Sequence, residues 1–186
     1  MSNILFLDTA RVKRDTPIQG NVEDSVVIPY IIMSQDTHIQ QLTGTTLYKK
    51  LLADIAAESL TGNYKDLVDD YLIPCLVQWT FYEVLPFINF KITNKSIVKG
   101  TSEYSSEIDL GELKYIRNAT RDMAEFYSNR LRGYLKEYSN LFPEYLTNNG
   151  LDKLQPKKRA TFFGGVYTGR ANDSHNYGLG ISTKII

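Results

Sequence analysis

The sequence predicts a mainly α fold: a small helical bundle with one long central helix, a short β-hairpin or extended insertion, and extended N- and C-terminal arms. Three observations carry this. Leu113, Ile116, Thr120, Met123, Tyr127, Leu131, Tyr134 and Tyr138 advance in steps of three and four, the period of one long amphipathic helix. Shorter stretches with the same period precede it, separated by Gly44 and by a break at residues 59–62. Glycine gathers at the far end, where five of the 12 fall in the last 36 residues and the helical period dissolves. The chain therefore divides into residues 1–20, an extended arm; 21–150, the helical domain; and 151–186, a glycine-punctuated, aromatic and basic arm.

Each element has its own signal. Residues 1–20 hold the turn formers Asp15-Thr16-Pro17 and Gly20 and no helical period, although Ile4-Leu5-Phe6-Leu7 requires an apolar surface to pack on. A first helix is expected over residues 21–41, capped by Asn21, Asp24 or Ser25, with Ile28, Ile31/Ile32, Gln35, Ile39 and Leu42 in phase. Pro29 stands close to its start, where a missing N–H costs little. Gly44 breaks the chain, Thr45 or Thr46 caps a second helix, and Leu47, Leu51 and Ile55 share a face widened by Tyr48 and Leu52. Asn63 with Asp66 starts a third helix carrying Val68, Tyr71/Leu72, Cys75, Trp79 and Tyr82, and Pro74 is expected to kink it. Residues 87–105 change period: Phe87 to Ile92 and Ser96-Ile97-Val98 flank Thr93-Asn94-Lys95, as in a short hairpin or a pair of extended segments. Asp109 and Glu112 open the long helix like a capping box, and Leu141-Phe142-Pro143 closes it.

Composition narrows the class of protein. The 186 residues are 42% hydrophobic and 12% aromatic, which is enough apolar material for a real core and too much for a disordered chain. Charges balance at 21 basic and 21 acidic residues, against a globally basic nucleic-acid binder. The balance hides an asymmetry: residues 21–150 are net −5 and residues 151–186 net +4. The most apolar stretch, residues 71–90, contains Pro74, Gln78, Glu83 and Pro86, and reads as a buried helix rather than a membrane span. Ile4-Leu5-Phe6-Leu7 is too short for a signal-peptide core.

The sequence predicts no enzyme, no cofactor and no metal. It holds no Walker loop, dinucleotide fingerprint or nucleophile elbow. Gly164-Gly165 and Gly169 lack the Lys-Ser/Thr and the helix that a phosphate cradle needs. With one cysteine and two histidines, no zinc cluster can be written. His38 and His175 have no carboxylate at ligand spacing and read as solvent or interface side chains. Cys75 reads as a small core hydrophobe, and Asp66, Asp69 and Asp70 as a solvated helix start.

The candidate contact residues lie in the last arm. Lys157-Lys158-Arg159 can touch phosphate, or equally an acidic protein surface of the kind the net −5 body of another copy would supply. Phe162, Phe163, Tyr167, Arg170 and Tyr177 follow among glycines and cannot make a core of their own. All eight are expected to meet a neighbouring chain or partner.

Ile28-Pro29-Tyr30-Ile31-Ile32, Ser34-Gln35-Asp36 and Gln41-Leu42-Thr43-Gly44-Thr45-Thr46-Leu47-Tyr48 resemble the opening of tailed-phage head–tail connector (adaptor) proteins, most of all those of crAss-like phages. Residues 89–98 and the Ser/Glu/Tyr loop after them are similar to the same family, which would place Gly at Ser96 and Ala at Ser34. The resemblance spans roughly residues 21–140 and leaves the arms unmatched. It implies a structural virion protein, made in the bacterial host cytoplasm, that forms a twelve-fold ring beneath the portal. Such a ring extends the DNA channel and docks other connector or tail components. The alternative is a phage-encoded helical module that binds nucleic acid or protein through Lys157-Lys158-Arg159.

Overall fold

A computed structural model describes residues 4–88, 90–92, 97–99, 110–147, 154 and 156. The described chain is a helical bundle with one small hairpin. Its helices are α1 (Thr9–Asp15), α2 (Asp24–Ser34), α3 (Gln40–Thr43), α4 (Thr45–Ala56), α5 (Gly62–Asp66), α6 (Ile73–Ile88), α7 (Leu110–Glu137) and α8 (Pro143–Leu146). Strands β1 (Phe90–Ile92) and β2 (Ile97–Lys99) pair antiparallel, with Phe90 opposite Lys99 and Ile92 opposite Ile97. That is the hairpin expected where the period changes. No helix of the described residues is long and apolar enough to cross a membrane.

Residues 4–20 are not the extended arm expected for residues 1–20. Asp8 caps α1 by accepting a hydrogen bond from the Arg11 N–H at 2.7 Å, and Lys13 and Arg14 complement its C-terminal end. Val12, Phe6, Leu7 and Ile18 are all buried in the common core. The Gln35 amide fixes the entry strand, accepting from the Phe6 N–H at 2.8 Å and donating to the Ile4 carbonyl at 3.2 Å. A seven-residue helix buries a single position on its inner side, so it leaves no repeat to read.

The expected first helix is one helical path in three parts. It starts at Asp24 behind Glu23, which makes no side-chain cap. A π turn over Gln35–Ile39 then joins α2 to α3, which ends at Gly44. Gly44 itself, with φ +76 and ψ 155, precedes α4; neither Thr45 nor Thr46 is the cap, and Thr45 is buried with its hydroxyl accepting from Gln40 at 3.0 Å. The third helix opens at Gly62 and is also interrupted, by a second π turn over Leu67–Leu72. Pro74 lies just beyond that turn. The kink expected there takes the form of a wide turn, which relieves the contact between the proline ring and the preceding helical carbonyls.

Helix α6 sits in the middle of the bundle. It is apolar nearly all round, with Cys75, Leu76, Val77, Trp79, Thr80 and Val84 buried, and α1, α2 and α7 pack on it. Helix α7, 28 residues and about 42 Å long, runs along it. Its buried row is rotated from the expected one. Leu113, Thr120, Ala124, Ser128, Leu131, Arg132 and Leu135 face inward, whereas Met123, Ile116 and Tyr138 are exposed. Small Ala124 and Ser128 let α6 approach closely, and that proximity, rather than side-chain hydrophobicity, sets the face. After Glu137 the chain turns through Ser139–Leu141 into α8, where Phe142 and Tyr145 are buried.

Candidate functional site

Two features of the described surface could engage another molecule: a polar pocket where the first π turn meets α6 and α7, and the outer face of α7. The π turn adds a residue to the helical path and swings Thr37 and His38 toward α6. The His38 ring stacks on the Trp79 indole, 3.7 Å between centroids and 7° between planes. Its Nε2 lies 2.9 Å from Glu83 Oε1. The Trp79 indole N–H donates to Ser128 Oγ at 2.8 Å, and Ser128 donates in turn to the Ala124 carbonyl at 2.8 Å. Arg132, nearly buried, donates to Asn129 and lines the same pocket with Gln41 and Glu125. The cavity is about 300 Å³.

These bonds tie three helices together. His38 bonds to Glu83 and not to Ser128, so no nucleophile–base pair is formed among them. Cys75 lies 3.4 Å from Ser128 Oγ, fully buried, and burial pushes its thiol up to about 12. It is an inert core side chain, as its sequence position suggests. The carboxylate partner of His38 was not visible in the sequence, because Glu83 is 45 residues away. Among the described residues no group of three or more His, Cys, Asp or Glu side chains is arranged to hold a metal ion.

The outer face of α7 is apolar where water would be expected. Tyr115 is 76% exposed, Phe126 59% and Met123 49%, with Ile116 and Ala119 exposed beside them. At 100° per residue Tyr115, Ala119 and Phe126 fall on one line, opposite the buried Ala124. A continuous exposed apolar row of this kind marks contact surfaces.

The predicted contact residues Lys157, Lys158, Arg159, Phe162, Phe163, Tyr167, Arg170 and Tyr177 lie outside the described residues. The base of their arm is described. The Thr45 N–H donates to the Leu154 carbonyl at 3.4 Å, and Pro156 packs so closely on Gly44 that a Cβ there would stand 2.8 Å from the proline Cδ. Leu154 and Pro156 are therefore seated at the α3–α4 turn.

Fold and surfaces together define an α-helical bundle protein with a polar pocket and an exposed apolar row among its described residues. Residues 39–154, from the end of the first π turn to the base of the arm, match the model of a family of unknown function, DUF6712, and the chain belongs to that family. No curated protein and no solved structure matches it.

Proposed function

We propose that this chain is a structural virion protein, a subunit of the head–tail connector ring beneath the portal of a tailed phage. The supporting observation is the uncovered apolar row of Tyr115, Ala119, Met123 and Phe126 on α7. Monomeric proteins seldom leave such a row in water, whereas a subunit of a permanent assembly covers it with its neighbour. The resemblance of residues 21–140 to connector proteins directs the choice of assembly to a ring around packaged DNA. In this reading the protein is not an enzyme and uses no cofactor, and the His38–Trp79–Ser128 chain serves to fix helix packing. The basic, aromatic arm of residues 151–186 lies on a neighbouring copy or on an adjoining connector or tail protein.

Mass spectrometry of purified virions, with band quantification against the portal protein, tests this. The expected result is a stoichiometric particle component at ring copy number. Absence from particles overturns the proposal. A monomer whose DNA affinity falls steeply with added salt would instead establish the nucleic-acid-binding alternative.

A further inference from the structure

Helix α7 carries a second seam besides the buried one. It runs through Glu112, Ile116, Ala119, Met123, Phe126 and Arg130, in steps of 4, 3, 4, 3 and 4. That alternation is the heptad spacing of a coiled coil, here four apolar positions closed at each end by a charge. All six side chains are exposed, and α6 packs on the opposite face of the helix, against Ala124 and Ser128. A heptad seam presents holes that the knobs of a second helix fill, and among the described residues no helix of this chain fills them.

The seam is complementary to itself reversed. Glu112 and Arg130 stand 18 residues apart, five whole turns at 100° per residue, so they share one line about 27 Å long. In an antiparallel pair centred at the level of Arg121, Glu112 of each copy meets Arg130 of the other. Ile116 then meets Phe126, and small Ala119 meets Met123, which allows close approach. A parallel pair would instead set Glu112 against Glu112 and Arg130 against Arg130. The Tyr71 ring lies 4.8 Å beneath the Arg130 guanidinium and steadies it. The other charges of α7 leave this match in place. Lys114, Arg117, Arg121 and Glu125 lie 140° or more around the helix from the line, and Glu137 stands beyond the first residue of the partner helix. One like-charge approach remains. Asp122, 80° from the line and 64% exposed, comes near its own mate across the centre of the pair.

We propose that two copies of this chain pair through the α7 seam, antiparallel, about a two-fold axis at the level of Arg121. The contact is isologous: the same surface serves both copies, and every contact occurs twice. Phe126, held against Ile116 of the second copy, carries most of the affinity, and the two Glu112–Arg130 pairs set direction and register. Neighbours in a cyclic ring meet through unlike surfaces, so the two-fold pair is the form of the chain outside a ring. The proposal goes beyond the connector reading and stands or falls without it.

The test uses the full chain. Sedimentation equilibrium should show a dimer. Phe126→Ala, at an exposed position the fold does not bury, should raise its Kd at least about thirtyfold. Asp122→Asn removes the like-charge approach and should lower the Kd, by up to about fivefold. A variant that merely damaged the fold could not tighten the pair. Ala119→Cys and Met123→Cys, prepared separately, read the direction of the helices, because Cys75 is too buried to compete. After oxidation with copper–phenanthroline, the mixture of the two should give severalfold more disulfide-linked pairs by intact mass than either variant alone. A chain that sediments as a monomer at about 0.1 mM overturns the proposal. Self-linking of Ala119→Cys to the extent of the mixture does so too, since it marks a parallel pair. A dimer that Phe126→Ala leaves unchanged places the contact elsewhere and equally refutes it.

Discussion

Gly44 illustrates how much rests on one residue. Its φ of +76 with ψ 155 belongs to a region open essentially to glycine, and its missing side chain is where Pro156 packs. The break was legible in the sequence; the second role was not, because Pro156 is 112 positions away. Gly44→Ala is expected to cost about 1–3 kcal/mol in urea unfolding from backbone strain alone. The proline ring cannot fold aside, so Leu154 and Pro156 must lift, and tryptic cleavage after Lys153 should accelerate. Unchanged cleavage in the variant would mean that the arm is not seated there. Tyr64 gives a pH-dependent counterpart. Burial, then the hydrogen bond it donates to Glu144 at 2.7 Å, pushes its phenol up to about 12. The raised value favours the protonated form in the fold, so the stabilisation is intact below the ordinary value of about 10 and is lost as pH rises through about 12. Tyr64→Phe should therefore be less stable than wild type by about 1 kcal/mol at neutral pH. That gap should narrow in urea titrations carried toward pH 12. His38 marks the limit of residue-level reading, since the partner that orients it comes from another helix.

At the level of elements, the longer helices and the hairpin were readable because period and breakers are local, whereas the seven-residue α1 was not. The rotation of α7 was not. Counting apolar side chains selects Met123, while packing selects Ala124, because a small residue permits the close crossing with α6 that buries Ser128 and the Trp79 indole N–H. Both π turns were invisible for a related reason: an inserted residue changes which carbonyl is bonded without changing residue type. The rotated face makes a direct prediction. Ala124→Leu should destabilise by about 1–3 kcal/mol through overpacking at a fully buried site. Met123→Lys, at a position 49% exposed, should change stability by no more than about 0.5 kcal/mol. Chemical denaturation of both variants decides between the two faces. The reverse order of effects would restore the row that runs through Met123.

For the whole molecule, the charge asymmetry is the feature that the sequence states most plainly, with residues 21–150 net −5 and residues 151–186 net +4. Leu154 and Pro156, in the basic stretch, sit against Thr45 and Gly44, and the extended arm expected at the other end has become part of the core through Phe6, Leu7 and Val12. Sequence could not show that residues 4–18 join the core, because they mix turn formers with bulky apolar residues and carry no helical period. If the C-terminal arm joins copies, its two kinds of residue must act differently. Ion pairs at a surface contribute about 0–1 kcal/mol each and are screened over about 10 Å at 0.1 M salt. Replacing Lys157, Lys158 and Arg159 together by Ala should therefore weaken assembly at low salt and change little at high salt. Burial of aromatic rings is insensitive to screening, so replacing Phe162 and Phe163 by Ala should weaken assembly at every salt concentration. Mass photometry across a salt series reads both. A basic triple variant that assembles normally at low salt but no longer retains DNA would turn those cations toward the channel. The acidic body would then serve solubility rather than register.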